Sequence, residues 1–176
     1  MTEIAQALRQ TLKDQHHRIK TQLQLVQDGR GEERAAAFLS LRRFLAAHET
    51  IEQAVMHPTA REGNNTAAVV EQRVSEEGRA TSAIEALEQF DIDSPAFTEQ
   101  FAALAKDVVA HAEAEEHVEL PAYLADASDD DVATVVAALG QVEELAARVA
   151  TGGVAGHPGF GGMLERARSE LAGRSA

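Results

Sequence analysis

Two pairs of residues in this chain set an imidazole four positions before a carboxylate: His48 with Glu52, and His111 with Glu115. Residues four apart on a helix are neighbours on its surface. Each pair therefore presents a nitrogen donor and an oxygen donor side by side. Such donors suit iron, manganese or zinc. There are no cysteines, so disulfides, zinc–thiolate sites and iron–sulfur clusters are excluded.

The two pairs sit in matching surroundings. Phe38, Leu41, Leu45, His48, Glu52 and Val55 follow steps of 3, 4, 3, 4 and 3, which keep all six on one helical face. Phe101, Leu104, Val108, His111, Glu115 and Val118 repeat the pattern 63 residues later, and Pro121 repeats Pro58. The repetition indicates an internal duplication of a helix pair, with two inward-facing ligand sets opposed to one another.

Two further stripes bring polar groups to the same interior. Ile4, Leu8, Leu12, His16, Ile19, Leu23 and Val26 share a face, so His16 points inward and His17 does not. Val70, Val74, Glu77, Thr81, Ile84 and Leu87 form another, with Glu77 on it and Glu76 off it. The centre thus holds His16, His48, Glu52, Glu77, His111 and Glu115. An unpaired carboxylate in a core costs several kcal/mol. Mutual histidine–carboxylate hydrogen bonds offset part of that cost, and divalent metal offsets more. Three imidazoles and three carboxylates are too many for one tetrahedral zinc and suit two metals, with Glu52 and Glu115 as the bridging pair.

The elements that must position these residues follow from caps and breakers. Thr2 caps a first helix that stops at Asp28-Gly29-Arg30-Gly31. A second helix runs from Glu32 to Met56, closed by His57-Pro58, with a loop at Gly63-Asn64-Asn65. A third spans Thr66 to Phe90. Ser94 caps a fourth, Pro95 to Ala125, which Pro121 kinks or interrupts. Ser128 caps a fifth, Asp129 to Ala150, with Asp129, Asp130 and Asp131 complementing its dipole. Thr151 to Gly162 reads as a glycine-rich loop holding His157 as a turn residue, and Met163 to Leu171 as a short last helix. The expected fold is all-α: an up-down-up-down antiparallel four-helix bundle with one or two additional C-terminal helices. Residues 1–125 would form the bundle, and 126–176 would pack on it.

Composition bounds the partners. A net charge of −13 disfavours nucleic acid and anionic membrane surfaces. No apolar run approaches a membrane span, and the amphipathic start MTEIAQALRQ is unlike a signal peptide. A cytoplasmic location is expected.

The order H…HxxxE…HxxxE on four helices resembles the hemerythrin-like, HHE cation-binding family. LRRFLAAHETIEQAVMHP and VVAHAEAEEHVELP carry most of the resemblance, which runs from about Ile4 to Tyr123. The tail AGHPGFGGMLERAR is similar to an extension in actinobacterial members. The resemblance implies a non-haem di-iron centre, two irons per chain with an oxo or hydroxo bridge, that binds or reduces O2, NO or H2O2. It maps His16, His48, Glu52, His111 and Glu115 onto the family's ligands. The third helix departs from the family: it has no histidine, and Glu77 is its only inward donor. His57, nine residues after His48, is the substitute able to swing in from the helix end. A carboxylate in place of imidazole makes the site harder and more anionic, which favours the ferric state and redox turnover over carriage of intact O2.

The metal set expected from the sequence is therefore His16, His48, Glu52, His57, Glu77, His111 and Glu115. Peroxide or O2 reduction would make the protein an enzyme. The rival readings are an iron or redox sensor and a structural bundle holding one zinc or iron. Glu49 is a candidate acceptor behind a ligating imidazole. His17, Glu113, Glu116 and His117 read as solvated or supporting residues, and Tyr123 as packed or facing the pocket mouth.

Overall fold

The computed structural model describes residues 2–61, 66–150 and 159–173. It is all-helical among these residues. Helix α1 is Glu3–Asp28, α2 Gly31–Ile51, α3 His57–Arg61, α4 Ala67–Leu87, α5 Pro95–Ala114, α6 Leu120–Asp126, α7 Asp129–Leu139, α8 Val142–Ala150 and α9 Phe160–Ala172. One π-helical turn, Glu52–Met56, joins α2 to α3, and a second, Glu115–Glu119, joins α5 to α6. Helices α1, α2–α3, α4 and α5–α6 form the bundle. Among them α1 packs on α2 and α5, and α4 packs on α5.

The caps behave as their chemistry dictates. Thr2, Ser94 and Ser128 each accept a backbone N–H of the first turn they precede, and Ser128 with Asp131 closes a reciprocal capping box. The turn between α1 and α2 uses Gly31 at φ 53°, a left-handed conformation that glycine adopts at least cost. Its N–H is held by the Asp93 carboxylate from the turn between α4 and α5. Arg34 secures the same end of the bundle. It is 2% exposed and donates to the carbonyls of Val26, Gly29 and Ile92 at 2.9–3.1 Å.

Pro58 does not end its helix, contrary to the expected closure at His57-Pro58, and the expected kink or interruption at Pro121 takes the form of a π turn just ahead of it. Proline lacks an N–H, and its ring clashes with the carbonyl four residues back in an α-helix. A wider turn ahead of each proline relieves that conflict. His57 donates its N–H to the Glu52 carbonyl, and Leu120 to that of Glu115, both five residues back. Each π turn inserts one residue into the periodicity. The inward face therefore slips by one position: Met56 and Glu119 are buried, while Val55 is only partly buried and Val118 is 52% exposed. The expected stripes end one residue too early for this reason.

The C-terminal part also departs from expectation. The fifth helix breaks at Gly140 into α7 and α8, where the Gly140 N–H closes back on Val136. The last helix starts at Phe160 rather than Met163. Helix α7 packs on α1, α8 on α2, and α9 on both α2 and α4. With α1 on its other side, α2 is buried over eight consecutive residues, Phe44 to Ile51. The loop at 63–65 and the residues of the 151–158 stretch, His157 included, lie outside the described residues. No helix among the described residues is long and apolar enough to cross a membrane.

Replacing Arg34 by alanine is expected to destabilise the fold by about 3 kcal/mol, since one buried and two part-buried carbonyls lose a charged donor. Urea unfolding followed by circular dichroism measures it, and a loss within experimental scatter of zero would contradict the assignment.

Candidate metal centre

Eight side chains converge inside the bundle. His16 comes from α1, His48 from α2, Glu52 from the first π turn and His57 from α3. Glu77 comes from α4, His111 from α5, and Glu115 and Glu119 from the second π turn. All seven residues expected from the sequence are in this cluster. Glu119 was not foreseen. A signal for it existed: His111, Glu115 and Glu119 are spaced i, i+4, i+8. The 3-4 stripe selected Val118 instead, because the π turn was not anticipated.

Glu115 is the hub. Its Oε2 lies 3.1 Å from His16 Nε2, and its Oε1 lies 3.0 Å from His111 Nε2. His48 Nε2 is 3.3 Å from Glu52 Oε1. His57 Nε2 is 3.6 Å from Glu77 Oε1 and 3.5 Å from Glu119 Oε1. Donor atoms fall into three groups, each with mutual distances within 4.8 Å: His16, His48, Glu52 and Glu115; His57, Glu115 and Glu119; Glu77, His111 and Glu115. Glu115 belongs to all three, whereas Glu52 belongs to the first alone.

The imidazoles are aimed from behind. His16 Nδ1 meets Glu116 Oε1 at 2.8 Å, His48 Nδ1 meets Gln15 Oε1 at 2.9 Å, and His111 Nδ1 meets Glu76 Oε2 at 3.0 Å. An acceptor at Nδ1 keeps the proton there and turns the Nε2 lone pair toward the centre. Glu49, the sequence candidate for this task, does not perform it. It is buried with Oε2 unpartnered. The Gln15 amide is itself oriented, because its Nε2 donates to the Leu139 carbonyl at the end of α7 at 2.8 Å. A second relay runs from α9: Arg168 donates to Gln53 Oε1 at 3.1 Å, and Gln53 Nε2 donates to Glu77 Oε2 at 2.5 Å.

Electrostatics show what the cluster lacks. Both oxygens of Glu52, both oxygens of Glu119 and both ring nitrogens of His57 are buried without a hydrogen bond. Burial, reinforced by the Glu115 charge, pushes Glu52 well above the usual carboxylate range and Glu119 up to about 8. Burial raises Glu77 to about 7 against the opposing Gln53 hydrogen bond. Burial also lowers His48 to about 3 and His57 to about 4. Burial acts on Glu115 and His111 too, but their mutual attraction outweighs it. Glu115 ends well below the usual range and His111 is raised to about 10. In the absence of a cation, protons compensate these carboxylates. The donor set of imidazole nitrogens and carboxylate oxygens, with orphaned buried atoms on both, fits divalent cations.

One side of the centre opens into a cleft of about 310 Å3 that reaches His16, His48, Glu77, His111 and Glu115. Tyr123 is buried and lines a different cavity, shared with Thr59, Ala60 and Asp131, so it does not face this mouth. His17 and His117 are exposed.

A family model, the Hemerythrin HHE cation binding domain, matches residues 7–123. No curated protein and no solved structure matches the chain. The matched span contains all eight converging residues and stops before α7.

Two outcomes are expected. In cation-free protein above pH 6.5, Glu77 holds its proton up to about 7, Glu119 up to about 8 and His111 beyond that, whereas the unfolded chain, at its ordinary values of 4.5 and 6.5, has largely released them. The folded state then binds more protons, so its stability falls as pH rises through this window. His48 and His57 have the opposite sign, but their loss of stability lies below pH 6.5. Calorimetric melting should therefore show a falling Tm with pH for the metal-free protein and a flatter profile for the loaded one. Separately, Gln15→Leu frees the His48 ring and should weaken metal affinity by about 10- to 100-fold, as read by chelator competition.

Proposed function

Because the chain belongs to the hemerythrin HHE cation binding domain family, we propose that its buried cluster holds two iron ions and reduces a small oxygen species, O2 or H2O2, with NO as an alternative ligand. The observation carrying this reading is the set of buried carboxylates without hydrogen bonds, Glu52 and Glu119 above all. Four carboxylates bring four negative charges into the bundle once deprotonated. Two divalent cations balance them, whereas one would leave two charges uncompensated in a low-dielectric interior. Glu115, shared among all three donor groups, would be the residue common to both ions. His16, His48 and Glu52 would serve one ion; His57, Glu77, His111 and Glu119 would serve the other.

Ferrous iron, when bound, supplies the electrons and an open coordination position. The protein supplies the rest. The cleft leads a ligand to His111, whose side chain is 18% exposed. Glu49 lines the same cleft, and burial together with the nearby Glu77 charge pushes its carboxyl well above the ordinary range, which favours the protonated form. The apolar walls limit water. A carboxylate-rich donor set favours the ferric state, which supports irreversible oxidation over reversible carriage; repeated turnover then requires an external electron donor to restore the ferrous form.

A sensor reading has its own support in the two hydrogen-bond relays that link His48 to α7 and Glu77 to α9. Protease resistance of the C-terminal helices distinguishes the readings. A sensor would lose it on iron removal, and a redox enzyme would keep it.

Anaerobic ferrous loading followed by metal counting tests the main proposal. Two irons per chain are expected, with near-ultraviolet absorption of a coupled ferric pair after addition of peroxide. Glu115→Ala should lose both ions, while His57→Ala should lose one. A single ion in the wild-type chain, unaffected by His57→Ala, would rule the paired centre out.

A further inference from the structure

Glu77 is held differently from the other carboxylates of the centre. Both oxygens of Glu52 and both of Glu119 are buried without a hydrogen bond. Each of those residues can offer two oxygens to an ion. Glu77 has one of its oxygens taken. Its Oε2 accepts the Gln53 side-chain amide, whereas its Oε1, buried and without a hydrogen bond, lies 3.6 Å from His57 Nε2. Gln53 therefore leaves a single free oxygen on Glu77.

The direction of that hydrogen bond is fixed from α9. A glutamine amide has an accepting end and a donating end, and turning it over exchanges them. A guanidinium only donates. Arg168 Nη2 donates to Gln53 Oε1 at 3.1 Å, so the amide presents its nitrogen to Glu77. A donor there favours the ionised carboxylate and competes with a cation for that oxygen. Gln53 is half-buried in the first π turn, beside Glu52, and Arg168 is exposed, 115 residues away in sequence. The two line a cavity with His57 that is separate from the cleft. Glu77 itself lines the cleft, so a second oxygen from it would compete with an entering ligand.

We infer that Gln53, oriented by Arg168, limits Glu77 to ligation through one oxygen and so keeps a coordination position open on the ion beside the cleft. Both are positioning residues, since neither belongs to the donor groups around Glu115. The inference rests on the cation reading above. It adds a reason why so donor-rich a site does not close around its own ion. It also gives α9, which lies beyond the matched family span, a part in the reactivity of the centre.

Cobalt(II) tests it, because its visible absorption weakens as its coordination number rises. The full chain is loaded anaerobically and counted for metal, and azide serves as the entering anion. Azide should shift the visible bands of the wild-type protein. Gln53→Leu releases Glu77 Oε2, so the bands should weaken and azide affinity should fall about tenfold at unchanged cobalt content. Arg168→Met should move both in the same direction by less, and Arg168→Lys, which keeps a donor, should restore them. A role in packing alone would lower Tm or cobalt content and leave the bands of the retained cobalt as they are. Unchanged bands and azide affinity in Gln53→Leu at wild-type cobalt content overturn the inference and leave the cation reading standing. So does a loaded wild-type protein that binds no azide. If Gln53→Leu does not fold by circular dichroism, Arg168→Met decides by the same criterion. An effect of Gln53→Leu without one of Arg168→Met overturns the role of α9. A wild-type chain that takes up no cobalt sinks the cation reading and this inference together.

Discussion

Glu115 is a carboxylate that stays ionised in a place with no water to solvate it, and much of the molecule follows from that constraint. It is 1% exposed, and His16 and His111 reach its two oxygens from different helices. Their attraction compensates one negative charge. It cannot compensate four. Glu52, Glu77 and Glu119 surround the same point, and each is pushed toward its neutral form by burial and, for Glu52 and Glu119, next by the Glu115 charge. The three carboxylates beyond Glu115 can therefore ionise in this interior only if cations join them; otherwise protons must neutralise them. Apolar packing elsewhere in the bundle must hold this arrangement in place, since the polar groups themselves oppose collapse until they are neutralised.

The backbone makes a matching concession. Each of the two helices that carry a histidine–glutamate pair passes through a π turn before a proline. The proline explains why regular helix is unfavourable there, and the extra residue explains how His57 and Glu119 come inward. Without it, His57 would lie five residues past Glu52 on a regular helix, well off its face. The two turns are related by the same 63-residue offset as the ligands, yet their products differ. Glu119 occupies the position of Met56, and Leu120 that of His57. The duplicated backbone device thus delivers an imidazole on one side and a carboxylate on the other, which completes an uneven donor set around an even scaffold.

The C-terminal helices are more than a covering. They lie beyond the matched family span, but α7 orients Gln15 and α9 orients Gln53, and these amides in turn direct His48 and Glu77. They also bury the side of α2 that a free-standing bundle would expose. That accounts for the burial of Glu49 and Thr50 in a helix whose hydrophobic pattern alone would place them nearer solvent.

Sequence by itself determined the helical class, the four bundle helices, and seven of the eight converging residues. It could do so because an inward histidine or glutamate on an apolar stripe violates the ordinary pattern in a countable way, and His48-Glu52 does so twice. The tertiary structure decided what periodicity cannot express. A π turn changes the phase by one residue, so Glu119 was hidden behind Val118 and Pro58 read as a stop. The acceptors Glu76, Glu116 and Gln15 lie off the apolar stripes and are identified only by which imidazole their helix neighbours bring within reach. The split at Gly140 and the covering of α2 likewise depend on contacts between segments remote in the chain. Local pattern specifies which residues turn inward; which of them meet, and what stands behind them, is set by how the helices pack.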